Sequence, residues 1–93
     1  MIGMLTVAID FDDTFTADVD TWSEVIRTLQ RSGHVVVCVS ARREMFSNRR
    51  ELETSLPEGV AVFLSHDEPK RQFMEKQGYD VNIWIDDIPE AII

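Results

Sequence analysis

Long apolar runs are missing from this sequence. None approaches the roughly 18 residues that a membrane span requires, and no signal peptide is expected. Cysteine is nearly absent. Cys38 has no second thiol to bond with inside the chain, and its place in the apolar run 35–39 predicts a buried core thiol and, with it, a cytoplasmic location. Basic residues are scarce, 9 against 17 acidic, and the resulting charge of −8 argues against a nucleic-acid surface, whose phosphates favour cations. If Asp10, Asp12, Asp13, Asp86 and Asp87 form one site, 12 acidic and 9 basic residues remain, so the rest of the surface is only mildly acidic. Internal repeats, linkers and low-complexity segments are also lacking. At 93 residues, 44% hydrophobic and 28% charged, the chain is expected to be one soluble domain spanning 1–93.

What the chain does have is the stretch VAIDFDDT, residues 7–14, an apolar run ending abruptly in Asp10, Asp12 and Asp13. Three unpaired carboxylates brought together at the end of a buried strand would cost several kcal/mol per ion. A cation is the natural compensation. Mg²⁺ prefers oxygen ligands and is held by one or two carboxylates, with water and substrate phosphate completing its shell.

Hydrophobic spacing organises the remainder. Residues 4–10 are apolar and β-branched enough for a strand buried on both faces. Val19, Trp22, Val25, Ile26 and Leu29 recur at helical spacing before Gly33, which predicts a helix over 18–32 with Trp22 in its core stripe. HVVVCVS, 34–40, is a second buried strand. A helix is expected over 44–56, apolar at Met45, Phe46, Leu52 and Leu56, then a strand over 60–64. Pro69 suits the first turn of a helix reaching about residue 77, and 81–85 is a fourth strand. The pattern βαβαβαβ predicts an α/β, Rossmann-like single domain, a parallel sheet of about four strands with helices on both faces. In such sheets the carboxyl ends of the strands converge on one crevice. All four expected strands end in polar chemistry: 10–14, 40–43, 65–68 and 86–87.

On these residues the chain resembles the haloacid dehalogenase-like (HAD) superfamily of phosphatases. Asp10-Phe11-Asp12-Asp13-Thr14 is similar to that family's first motif. Ser40 resembles the second, Lys70 the third, and Asp86-Asp87 after NIWI the acidic fourth. The resemblance implies a Mg²⁺-dependent phosphomonoester hydrolase in which Asp10 attacks phosphorus to give an aspartyl-phosphate and Asp12 protonates the leaving group, then activates water. It also implies that Asp10, the main-chain carbonyl of Asp12, and Asp86 hold the metal, with Asp87 in support. Ser40 would hydrogen-bond a phosphoryl oxygen, Lys70 would neutralise its charge, and Thr14 would fasten the turn. Arg71 lies beside Lys70 and helix phase decides between them; residue type favours Lys70.

The departures from the family carry information of their own. Many members have Gly where this chain has Asp13. The segments 14–18 and 65–68 are too short for a cap domain, so the site is expected to be open, with Arg42, Arg43 and His66 on its rim and a nucleotide or polynucleotide phosphate as the expected substrate. An uncovered sheet edge or the apolar Ala91-Ile92-Ile93 is a surface through which the chain could form a homo-oligomer. Two other function classes share part of this pattern. A phospho-receiver domain needs its phosphoacceptor directly after the third strand, where Asp67 is offset by Ser65 and His66. The stronger alternative is a HAD-fold regulatory or binding module that takes up metal without turnover.

Overall fold

The computed structural model describes residues 3–93; residues 1 and 2 lie outside it. Four parallel strands form one sheet: β1 (Thr6–Ile9), β2 (Val35–Ser40), β3 (Ala61–Leu64) and β4 (Ile83–Ile85), in the order β3-β2-β1-β4. Three helices connect them, α1 (Val19–Arg31), α2 (Phe46–Ser55) and α3 (Lys70–Lys76), with short 3₁₀ turns at Phe15–Ala17 and Pro89–Ala91. This is the expected α/β architecture, a small Rossmann-like sheet covered on both faces.

Alternating residues of the central strands feed two separate cores. Val7, Ile9, Val36 and Cys38 face Ile26 of α1 and Leu52 of α2 on one side; Ala8, Val37 and Val39 face Met74 of α3 on the other. Burial of a side chain such as Ile26 or Leu52 contributes about 1.5–3 kcal/mol, and two such layers make β1 and β2 buried throughout almost their whole length. Asp18 starts α1, its carboxylate accepting from the Thr21 amide at 3.1 Å. Gly33 ends it at φ +88°, a left-handed conformation that glycine adopts without strain.

Two details differ from the sequence expectation. Met45 and Phe46 do not join the apolar face of α2, being 47% and 80% exposed. Met45 is the extended residue preceding the helix, and Phe46, six positions before the buried Leu52, falls on a different face of a 3.6-residue spiral. Strand β4 is a short edge strand with β1 as its one partner, which leaves Ile83 43% exposed instead of buried on both faces. At the C-terminus Ile92 is buried and Ile93 exposed.

The topology places the site. From β1 the chain steps to β2 and β3 in one direction, then crosses back to lay β4 on the other side of β1. The reversal leaves a crevice between the carboxyl ends of β1 and β4, where ligands of open α/β sheets bind. Asp10 follows β1 directly, and Asp86 and Asp87 follow β4.

Candidate functional site

Residues 10–14 form a tight turn as the chain leaves β1. The Asp10 amide donates to the Ile85 carbonyl at 2.9 Å, and the Phe15 and Thr16 amides return to the carbonyls of Asp10 and Phe11. Asp13 takes φ +64°, a region open to glycine and tolerated by aspartate better than by most residues. Phe11, buried, stacks on Phe15 at 5.8 Å and anchors the turn in the core.

Three carboxylates converge at the crevice. Oxygens of Asp10, Asp86 and Asp87 all lie within 4.8 Å of one another. Lys70, 2% exposed at the start of α3, enters between them; its Nζ donates to Asp10 Oδ1 at 2.9 Å and to Asp86 Oδ2 at 2.6 Å. Arg71 points elsewhere, its guanidinium 5.9 Å from the Trp84 ring centroid, so the geometry selects Lys70 for the cationic position. Thr14 fastens the two strand ends together: its hydroxyl lies 3.2 Å from Asp10 Oδ2 and 2.9 Å from Asp87 Oδ1, and accepts from the Asp87 amide at 3.1 Å.

The electrostatics follow from that crowding. Burial pushes the Asp10 carboxyl up to about 6; the Lys70 ammonium opposes the rise, while Asp87 and the charge of Asp86 reinforce it. For Lys70, burial disfavours the charged form, but the bonds to Asp86 and Asp10 and their charges outweigh it and raise the ammonium above its ordinary value. Hydrogen bonds from Asp10 and Thr14 lower Asp87. One ammonium among three carboxylates leaves a net negative focus. The hard oxygen donors of Asp10, Asp86 and Asp87 therefore fit a divalent cation such as Mg²⁺.

The Asp10 shift has a testable consequence for stability. Its carboxyl titrates near 3.8 when unperturbed and near 6 in the folded chain, so between those values the folded state holds a proton that the unfolded state has lost. The contribution is favourable at low pH and is lost as pH rises through 6. In chelator, unfolding free energy is expected to fall by on the order of 2–3 kcal/mol from this group between pH 4 and 7. Urea titrations across that range should show the slope in the wild type and not in Asp10→Asn. Identical slopes would remove Asp10 as its source.

Asp12 and Arg42 form a second unit. Asp12 is exposed, and Arg42 grips its carboxylate from both sides, Nε to Oδ2 at 2.9 Å and Nη2 to Oδ1 at 2.8 Å. The same guanidinium donates to Glu51 at 2.8 Å and to Asn48 at 3.2 Å, and lies 5.4 Å from the Phe11 centroid. Its hydrogen bonds to Asp12 hold that carboxyl below the usual range. Ser40, 1% exposed at the end of β2, accepts from the Arg42 amide through its Oγ at 3.2 Å.

A cleft of about 300 Å³ opens over these groups, and Asp10, Asp12, Ser40, Arg42, Lys70 and Asp86 all reach its wall. Arg43 and His66, expected on the rim, are exposed outside that lining. Sequence reasoning did not single out Glu51 and Asn48, which steady Arg42 from α2, or Ile88, which lines the cleft; none carries a motif or a spacing that marks it. No helix among the described residues is long and apolar enough to cross a membrane. Comparison with family models, with curated proteins and with solved structures finds no match for this chain.

Proposed function

We propose that the chain is a Mg²⁺-dependent phosphomonoester hydrolase of the HAD type, working in the cytoplasm through an aspartyl-phosphate on Asp10. The observation that carries this reading is the convergence of Asp10, Asp86 and Asp87 at the switch point of a parallel sheet, with buried Lys70 bridging two of them. Isolated acidic turns would not bury a lysine among them.

In the proposed reaction a carboxylate oxygen of Asp10 attacks phosphorus as the bond to the leaving oxygen breaks, and that oxygen takes a proton from the Asp12 carboxyl. Water then attacks the same phosphorus, its proton passing to Asp12, which frees Asp10 and inorganic phosphate. Lys70 and Ser40 face the phosphoryl oxygens, the first as a point charge and the second as a hydroxyl donor. Bound Mg²⁺, held by Asp10 and Asp86 with Asp87 beside them, would supply charge neutralisation at the phosphoryl group. Asp12 in its grip by Arg42 is ionised, the form that accepts a proton. Donation to the leaving group requires that carboxylate to part from Arg42.

The test is hydrolysis of an aryl phosphate with Mg²⁺ and with chelator, with Asp10→Asn as blank. Metal-dependent release that vanishes in the variant supports the reading; equal release in both defeats it. The Asp12–Arg42 grip is also the observation favouring the second reading, a regulatory module of the same fold that binds metal without turnover, which would answer Mg²⁺ with a raised melting temperature and release nothing.

Arg42 gives a separate expectation. Its guanidinium is committed to Asp12, Glu51 and Asn48 and holds the Asp12 carboxyl below its usual range, so Arg42→Gln should move the pH dependence of kcat upward by letting Asp12 hold the proton it donates, while KM stays within about twofold. A tenfold rise in KM at constant kcat would make Arg42 a substrate-binding residue instead.

A further inference from the structure

The surroundings of the cleft restrict what can lie in it. Beside Lys70 the cleft runs into a second hollow of about 170 Å³, the two sharing Ala41, Lys70 and Ala91. Three carboxylates, Asp67, Glu68 and Glu90, line that hollow. A third depression of about 310 Å³, which shares Asp13 and Asp86 with the cleft, also has Asp87 in its wall. Among the described residues Arg42 and Lys70 are the only cations lining any of the three, and both are already paired. Glu68 is matched by Lys76 at 2.5 Å; among the described residues Asp67 and Glu90 make no ion pair.

A phosphoryl group at Asp10 meets Lys70. A second anion carried into the adjoining hollow would meet the carboxylates of Asp67, Glu68 and Glu90. What the outer wall offers instead is apolar area: Ile88, 55% exposed, with Ala41 and Ala91 in the cleft and Ile93 in the hollow beyond. That wall is fixed to the site. The Ile88 amide donates to Asp86 Oδ1 at 3.0 Å, the Ala91 amide to the Ile88 carbonyl at 2.9 Å, and the Arg71 amide to the Ile92 carbonyl at 2.9 Å.

Resting on the hydrolase reading above, we infer that the site takes a small phosphomonoester whose leaving group is uncharged and apolar on one face, and that it rejects substrates bearing a second anionic group, polynucleotide ends included. The selection comes from repulsion as much as from attraction: Asp67 and Glu90 penalise the wrong substrate, and Ile88 with Ala91 contacts the right one. A nucleoside monophosphate, whose nucleoside is neutral, remains within the class; a polynucleotide, expected from the sequence, does not.

The experiment compares 4-carbamoylphenyl phosphate with 4-carboxyphenyl phosphate, near-isosteric probes differing by one charge. At low salt the wild type with Mg²⁺ is expected to favour the neutral probe about tenfold in kcat/KM, the size of a surface charge interaction summed over two carboxylates. The ratio should fall toward unity in Asp67→Asn/Glu90→Gln and at about 0.5 M NaCl. Asp67 has φ +66°, which asparagine also accepts, and both positions are exposed, so the variant is expected to fold. Equal rates on the two probes, or a preference that survives the double substitution, would overturn the inference. The matching phosphonates, titrated calorimetrically with Mg²⁺, read the same selection without turnover. A wild type that discriminates between phosphonates yet releases no phosphate defeats the hydrolase reading and upholds the charge selection. One that binds neither defeats both.

Discussion

On the proposed hydrolase reading, Asp10→Asn is expected to lower Mg²⁺-dependent phosphate release by about 10⁴-fold or more, the scale on which removal of a covalent nucleophile acts, and to leave the protein folded. The amide is isosteric with the carboxylate but cannot form the aspartyl-phosphate. It also takes a buried charge out of the crevice, where Asp10 is 8% exposed and pushed up to about 6. Lys70 keeps Asp86 as its partner at 2.6 Å, so the ammonium is not orphaned. The variant should therefore melt at or above the wild-type temperature in chelator at pH 7, while losing turnover. Phosphate release and a thermal melt on the same preparation separate the two effects. Retained activity would take the nucleophile role from Asp10; an unfolded variant would show that the carboxylate is needed for structure.

Most of the fold was readable because the central strands are buried on both faces. HVVVCVS can be little else in a chain this short, and β2 spans Val35–Ser40 at the centre of the sheet. The edges were less legible for the same reason. Strand β4 has one neighbour, so its apolar run predicts more burial than a single ladder delivers. In α2 the apolar residues Met45 and Phe46 suggested an earlier start and a wider apolar face, yet Met45 is extended before the helix and Phe46, its first residue, is out of phase with Leu52. Of the site, the residues at strand ends were legible, since parallel topology brings them together whatever the loops do. Pairings across long separations were not. Arg42 and Asp12 are 30 residues apart, and the guanidinium that looked free for substrate is committed to the carboxylate meant to assist it. The choice between Lys70 and Arg71 needed the phase of α3, which no local spacing gives.

Lys70→Met is expected to be the most damaging substitution for stability, costing about 3–5 kcal/mol in chelator at pH 7. Methionine replaces the stem with an unbranched chain of similar length, so lost packing contributes little. The loss is electrostatic. Without the ammonium, Asp10, Asp86 and Asp87 face one another within 4.8 Å, and the first two lose their bonds at 2.9 and 2.6 Å. For a domain of this length the whole stability is on the order of 5–14 kcal/mol, so the variant sits close to the limit of folding. Two conditions should rescue it. Mg²⁺ binds the folded state and restores positive charge to the same oxygens, so its stabilising effect should be larger in Lys70→Met than in the wild type. Acidification toward pH 5 protonates Asp10 and relieves the repulsion from the other side. Arg71→Met, one residue away, removes only the guanidinium near Trp84 and should cost no more than about 1 kcal/mol. Melts in chelator and in Mg²⁺ decide the matter. If Lys70→Met melts with the wild type and gains nothing extra from Mg²⁺, Lys70 is not the charge that holds these carboxylates together, and the cation site built around it falls with it.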